Sequence, residues 1–227
     1  MTAISRLSLF ALGAAALFAL AACDPMLTGS TGLGADSTAP TSGATSSGTT
    51  SGTAAGATLA ELRIAPDGPM TGYRRDRFGD GWATQSDGCE TRIDVLLDDG
   101  THVSHHGCTV VTGRWVSLYD GVVVTSPHEL DVDHIVPLAN AWVTGARYWT
   151  SAQRVAFAND VHRELVAVTA HSNRSKGDEA PPGYEPSAKS DDCQYAERWI
   201  TVKSAYHLTI TSAEHDALAS MLATCPS

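Results

Sequence analysis

The sequence predicts a small α+β domain, and three observations carry that prediction. Two runs, 108–116 and 119–124, have strand composition and flank a turn signal at Asp120-Gly121, the pattern of an antiparallel hairpin. A third, alternating run at 130–136 is stopped by Pro137. The last third of the chain instead repeats apolar residues at helical spacing, with Tyr195, Trp199 and Val202 on one face. Strands followed by packed C-terminal helices is the order of an α+β domain.

The N-terminus speaks to location. One basic residue, Arg6, precedes an apolar run at 7–22, shorter than the roughly 20 residues a membrane-spanning helix needs, and residues 1–23 read as an export signal. Leu20-Ala21-Ala22-Cys23 resembles a bacterial lipobox, which makes Cys23 the expected lipidation site. The expected product is a cell-surface lipoprotein held by a lipid anchor on the outer face of a bacterial membrane; an ordinary signal and a secreted protein are the alternative. In 24–57, 27 of 34 residues are Gly, Ser, Thr or Ala, too little apolar surface to offset ordering entropy, so a disordered linker is expected.

Residues 58–227 are long enough for one domain with its own core, and no internal repeat divides them. Without residues 1–23 the chain carries 14 Lys and Arg against 25 Asp and Glu. That balance excludes a protein that coats nucleic acid by neutralising phosphates, though not an enzyme that meets it through a few arginines and a metal ion. A monomer is expected. Four cysteines remain, an even number in an exported chain, and disulfides follow. Of three pairings, Cys89 with Cys108 and Cys193 with Cys225 join neighbouring elements and are expected; the rival, a zinc site, lacks any C-x-x-C spacing.

Taken in order, 59–64 reads as a short helix or lead-in. The Gly-, Asp- and Arg-rich stretch 67–88, containing Tyr73-Arg74-Arg75-Asp76-Arg77-Phe78, reads as irregular surface with aromatic anchors. Residues 89–97 open a helix or strand, and the hairpin and the 130–136 strand follow. Helices are expected at 138–148, at 151–159 behind a Thr150 cap, and at 173–176 behind a Ser172 cap, with a short strand at 165–168 between the last two. A proline-rich loop covers 177–189, and 193–206 and 212–223 close the domain as helices.

The chemistry centres on Asp133-His134-Ile135-Val136-Pro137-Leu138 and on Asn173-Arg174-Ser175-Lys176-Gly177-Asp178. A carboxylate and an amide oxygen suit a hard cation, and an imidazole can take a proton from water at neutral pH. The pair of motifs resembles the HNH endonuclease family, the ββα-metal fold. With Gly88-Cys89-Glu90-Thr91-Arg92, Gly113-Arg114-Trp115 and Tyr195-Ala196-Glu197-Arg198-Trp199, the chain is similar to exported DUF1524 or GmrSD C-terminal-domain proteins. The resemblance implies a ββα-metal finger within 58–227 and hydrolysis of phosphodiester bonds, in DNA more than RNA. It also implies one divalent cation, Mg²⁺ or alternatively Mn²⁺, held by Asp133 and Asn173. His134 and Asn173 take the catalytic positions, with Lys176, Arg92 and Arg174 as phosphate contacts. The sequence departs from the family at Glu164, where an Asn side chain ordinarily orients the histidine. Glu164, a backbone carbonyl or Asn159 would have to do so, or activity is reduced, and a nearby carboxylate would raise the pKa of His134. The rival reading is a catalytically silent surface lipoprotein that keeps the HNH fold as a binding module. His102, His105 and His106 read as a loop or strand end.

Overall fold

The computed structural model describes residues 47–226, with side chains from residue 52; the export signal, Cys23 and the linker as far as residue 46 lie outside the described residues. Among the described residues, seven α-helices and two small antiparallel sheets make an α+β fold, as the patterning predicts.

Helix α1, Ser47–Glu61, crosses the domain boundary expected at residue 58. Its Gly/Ser/Thr/Ala composition gives no apolar stripe, but small residues let it pack closely against α6 (Asp192–Ala205) and α7 (Ser212–Leu222). Ala55 and Leu59 reach the core, and a Cβ at Gly52 would lie 2.9 Å from Cys225 Cβ. Docking, not propensity, accounts for the helix.

The three-stranded sheet differs from the expected hairpin. β1 (Thr101–His106) pairs antiparallel with β2 (Thr109–Val116) through a turn at Gly107, whose φ of 54° suits glycine, and β3 is only Val123–Val124, opposite Val116 and Trp115. The histidine cluster is therefore an edge strand, almost wholly exposed, which is why it shows no alternation. Helix α2 (Thr91–Asp99) packs on this sheet, and the Cys89–Cys108 disulfide ties its start to the β1–β2 turn. Cys193–Cys225 joins the start of α6 to the chain beyond α7. Both pairings are those expected.

The second sheet is the two-stranded ribbon of β4 (Leu130–His134) and β5 (Leu165–Thr169), in register from Leu130↔Thr169 to His134↔Leu165. Leu130, Val132, Leu165 and Ala167 join α2 and Trp115 in one core; Val166 and Val168 face the larger, aromatic core of Phe157, Tyr195 and Trp199. Side chains serve the outer edge of β5 in place of a third strand: Asp99 accepts from Ala167 N (2.6 Å), Ser117 Oγ from Thr169 N (3.2 Å), and Arg198 donates to Leu165 O (2.7 Å). Helices α3 (Leu138–Thr144), α4 (Ser151–Ala158) and α5 (Ala170–Lys176) complete the chain around the ribbon. Thr150 caps α4 with a full capping box through Gln153. The α5 cap is Thr169, which accepts from Ser172 N, rather than Ser172 itself.

Trp115 is the pin between α2 and β2: its ring is buried and Nε1 donates to Leu96 O at 2.8 Å. A Cβ at Gly100 would stand 2.5 Å from Val103 Cγ2, 2.6 Å from that nitrogen and 2.8 Å from Leu96 O, the last two held by their own hydrogen bond. Gly100→Ala is expected to destabilise the fold by about 1–3 kcal/mol, the usual range for overpacking. Urea unfolding of the oxidised protein checks this; an unchanged midpoint would refute the close approach.

Candidate active site

Three elements meet at one cleft. β4 carries Asp133 and His134 to its end, its partner β5 runs directly into α5, and the Thr169 cap starts that helix so that Asn173 and Lys176 come back over β4. Asn173 Nδ2 donates to Asp131 Oδ2 at 3.1 Å, while Arg174 Nε stands 3.7 Å from the same oxygen. Asp131, one strand repeat before Asp133, thus orients the amide of Asn173. The amide oxygen of Asn173 makes no hydrogen bond among the described residues.

Asp133 is held from one side only. Its Oδ2 accepts from Tyr119 Oη at 2.7 Å and from Lys176 Nζ at 2.7 Å, and its Oδ1 makes no hydrogen bond among the described residues. Lys176 was expected to touch phosphate, and the structure corrects this: the side chain is fully buried and its ammonium is spent on Asp133 and on His134 O at 2.9 Å. Arg92 is corrected too. Its Nη2 donates to Pro127 O and Leu130 O, both at 3.0 Å, which anchors the start of β4, and it does not line the cleft.

His134 is 5 % exposed, and its imidazole lies against Trp82, with ring centroids 5.8 Å apart and planes 24° apart. Nε2 lies 3.1 Å from Ala158 O. A carbonyl only accepts, so Nε2 carries the proton and Nδ1 keeps its lone pair, the tautomer a general base needs. Burial, reinforced by the Arg75 charge and only partly opposed by Asp133, lowers the His134 pKa to about 4.

Of the three ways considered for orienting the imidazole, the backbone carbonyl is the one present. Asn159 is engaged elsewhere, its Oδ1 accepting from Ala83 N (2.9 Å) and Thr91 Oγ1 (2.8 Å). Glu164 is fully buried behind the strand end; its Oε2 accepts from Val136 N at 3.4 Å and its Oε1 has no partner among the described residues. Burial holds its carboxyl well above the usual range. The burial of His134 outweighs the raising effect of the Asp133 carboxylate, which is why the expected upward shift of His134 is replaced by a downward one.

The cleft, about 250 Å³, is lined by Asp133, His134, Asn173, Arg174, Asp178 and Arg75. Sequence reasoning missed Arg75. It sits in a 3₁₀ turn, Arg75–Phe78, pinned by Phe78 against Trp142 and Phe157 and by Arg154 Nε donating to Arg77 O at 3.0 Å. The only signal was the density of arginines between aromatics. Arg75 and His134 also line an adjoining cavity of about 180 Å³ with Trp82.

Two uncommitted oxygens, from Asp133 and Asn173, fit a hard divalent ion that completes its shell with water and phosphate oxygen. Among the described residues the one cluster of three His, Cys, Asp or Glu groups within ligating reach is Cys193, Glu197 and Cys225, whose sulfurs are joined to each other.

Residues 92–221 match the family described as GmrSD restriction endonucleases, C-terminal domain, more than half of the chain. This chain belongs to that family. The GmrSD C-terminal-domain match spans β4, β5 and α5, and begins after Arg75 and Trp82. An uncharacterized secreted protein of Arthroderma benhamiae is 48% identical over 169 residues, 74% of this chain and 82% of that one. No solved structure matches. Among the described residues no helix is long and apolar enough to cross a membrane.

The buried neutral histidine makes a thermodynamic prediction. An unfolded chain protonates this imidazole near pH 6.5, the folded one near 4, so between those values the unfolded state binds more protons and stability falls as pH falls. In EDTA, the native protein should lose up to about 3 kcal/mol more between pH 7 and 4 than His134→Gln does. Parallel denaturation curves for the two proteins across that window would contradict the assignment.

Proposed function

We propose that this chain is a metal-dependent, HNH-type endonuclease that hydrolyses phosphodiester bonds, DNA before RNA, outside the cytoplasm. The observation that carries the reading is the cleft that holds an imidazole with an unprotonated Nδ1 beside two uncommitted oxygen donors and two arginines. Family membership supports phosphodiester chemistry, since the family's description names restriction endonucleases.

His134 Nδ1 would accept a proton from the attacking water, and Ala158 O, already bonded to Nε2, would steady the imidazolium as it forms. Asp133 Oδ1 and the Asn173 amide oxygen would hold Mg²⁺ or Mn²⁺. When bound, that ion supplies Lewis-acid stabilisation of charge on the phosphate and the leaving 3′ oxygen. Arg75 and Arg174 would contact the non-bridging phosphate oxygens, and Lys176 with Tyr119 fixes the rotamer of Asp133. The Ala158 contact supports an active enzyme over a silent binding module, because it supplies the orientation that a central Asn would give.

Nicking of supercoiled plasmid by the oxidised full chain at low salt tests the proposal. Cleavage is expected with Mg²⁺ and none with EDTA. His134→Ala should be slower by about 10²–10⁴, and Arg75→Ala by about 10–10², the loss of one charge-assisted hydrogen bond. Full activity of His134→Ala would remove the histidine from the mechanism, and an intact plasmid and RNA with both Mg²⁺ and Mn²⁺ would transfer the case to the binding module.

The export signal and the secreted relative support an extracytoplasmic site of action, and Cys23 would add a lipid anchor. Metabolic labelling with a fatty acid in a bacterial host should mark the wild-type protein and not Cys23→Ser. Unlabelled wild type would leave a secreted enzyme.

A further inference from the structure

A cavity of about 730 Å³ lies on another part of the surface from the catalytic cleft. Its walls are α4 and three chain segments stitched by backbone hydrogen bonds: Ala65 N to Ile210 O (2.8 Å), Ile210 N to Arg63 O (3.1 Å), Gly68 N to Val143 O (2.9 Å) and Thr209 N to Thr144 O (3.0 Å). A site built this way is formed before any ligand arrives.

Its lining is unusual for this chain. Two arginines, Arg63 and Arg147, and His207 face the cavity with no Asp or Glu among the lining residues, on a protein whose formal net charge is −10. Aromatic rings accompany them. Tyr148 is 80% exposed, and the Arg147 guanidinium sits 4.6 Å from its ring centroid on one face. Arg147 is itself held, its Nη1 donating to Val143 O at 2.8 Å. Trp149 is braced by Phe157 and Tyr206, at 5.4 and 5.7 Å between centroids. One held arginine and a second, exposed one beside an open aromatic face select a ligand that is both planar and anionic, and a run of nucleotides is both.

Position favours a strand over a free nucleotide. Leu138, at the start of α3, lines the catalytic cleft, and Val143 and Thr144, at its end, line this cavity. Seven residues at 1.5 Å each span about 10 Å, or about three nucleotides at a 3.4 Å rise. We propose that this cavity binds a single-stranded segment of nucleic acid beside the scissile bond, with bases stacking on Tyr148 and phosphates meeting Arg63 and Arg147. The choice of polymer rests on the nuclease reading; the cavity's charge and aromatic content do not.

The test measures binding apart from cleavage. A fluorescent oligothymidylate is titrated into the full chain in EDTA, alongside Tyr148→Ala, Tyr148→Phe and Arg63→Glu, with melting temperatures confirming that each variant is folded. Tyr148→Ala and Arg63→Glu should each weaken binding about fivefold or more, and Tyr148→Phe should not. A duplex of the same length should bind more weakly, and thymidine monophosphate should compete poorly. Tyr148-dependent binding by a protein that fails to nick plasmid would sustain this site although the nuclease reading had failed. Wild-type affinity in both Tyr148→Ala and Arg63→Glu with plasmid nicking intact would overturn this site alone. It would also be overturned by no oligonucleotide binding, or by thymidine monophosphate displacing the oligonucleotide at equal concentration.

Discussion

The ion pair between Lys176 and Asp133 is the contact on which the site depends. Removing an ammonium wholly from water costs several kcal/mol, and the cost is offset only where the geometry is good and the remaining donors are used. Here the Nζ of Lys176 meets Asp133 Oδ2 at 2.7 Å and His134 O at 2.9 Å, and stands 5.6 Å from the Tyr119 ring centroid. One side chain at the C-terminal end of α5 thereby fixes two consecutive residues of β4. It also fixes the register of the helix that carries Asn173. Since Oδ2 is committed to Lys176 and Tyr119, the carboxylate has one oxygen left to offer the cleft, and the strand fixes where that oxygen is.

Around this pair the electrostatics are local. The chain is acidic overall, and screening limits what distant charges contribute beyond about 8–10 Å at moderate salt. What a ligand would meet at the cleft is Arg75 and Arg174, with Asp131 and Asp178 close by, not the net charge. Asp131 binds Arg174 at the periphery and the amide of Asn173 inside, so it partly neutralises the first while orienting the second. The imidazole between them stays neutral because it is buried, and its neighbours change that only by smaller amounts.

Much of the site was legible because its residues are local in sequence. Asp133 and His134 are adjacent on a strand that alternates and ends in proline, and Asn173 follows a short apolar strand that has a single partner to pair with. Both disulfides were legible for the same reason, each joining neighbouring elements. Arg75 was not, because its role comes from a turn held by Phe78 and Arg154 through contacts across dozens of residues. Lys176 was misread because spacing places a lysine on a helical face without saying whether that face is wet or buried. The histidine strand β1 and the helix α1 failed for a related reason. An exposed edge strand need not alternate, and a small-residue helix needs no stripe, so neither element leaves a periodic trace.

Glu164 stands where the HNH resemblance implies an Asn, and its environment explains why the acid is compatible with the histidine's geometry. The position lies one residue before β5, where Ile135 N donates to Glu164 O at 2.8 Å, so the backbone at this point is fixed whatever side chain it carries. A longer acid at that position turns into the core instead of toward the imidazole, with Val136 N as its donor. Burial there pushes its carboxyl well above the usual range and so disfavours a charge beneath His134, while Nε2 bonds to the Ala158 carbonyl. That carbonyl belongs to the last residue of α4, a helix whose start is secured by the Thr150–Gln153 capping box and whose end is secured by Asn159 Nδ2 donating to Val155 O at 2.9 Å. A rigid helix end can set a ring plane as well as an amide side chain can, since what the imidazole requires is one acceptor in one direction.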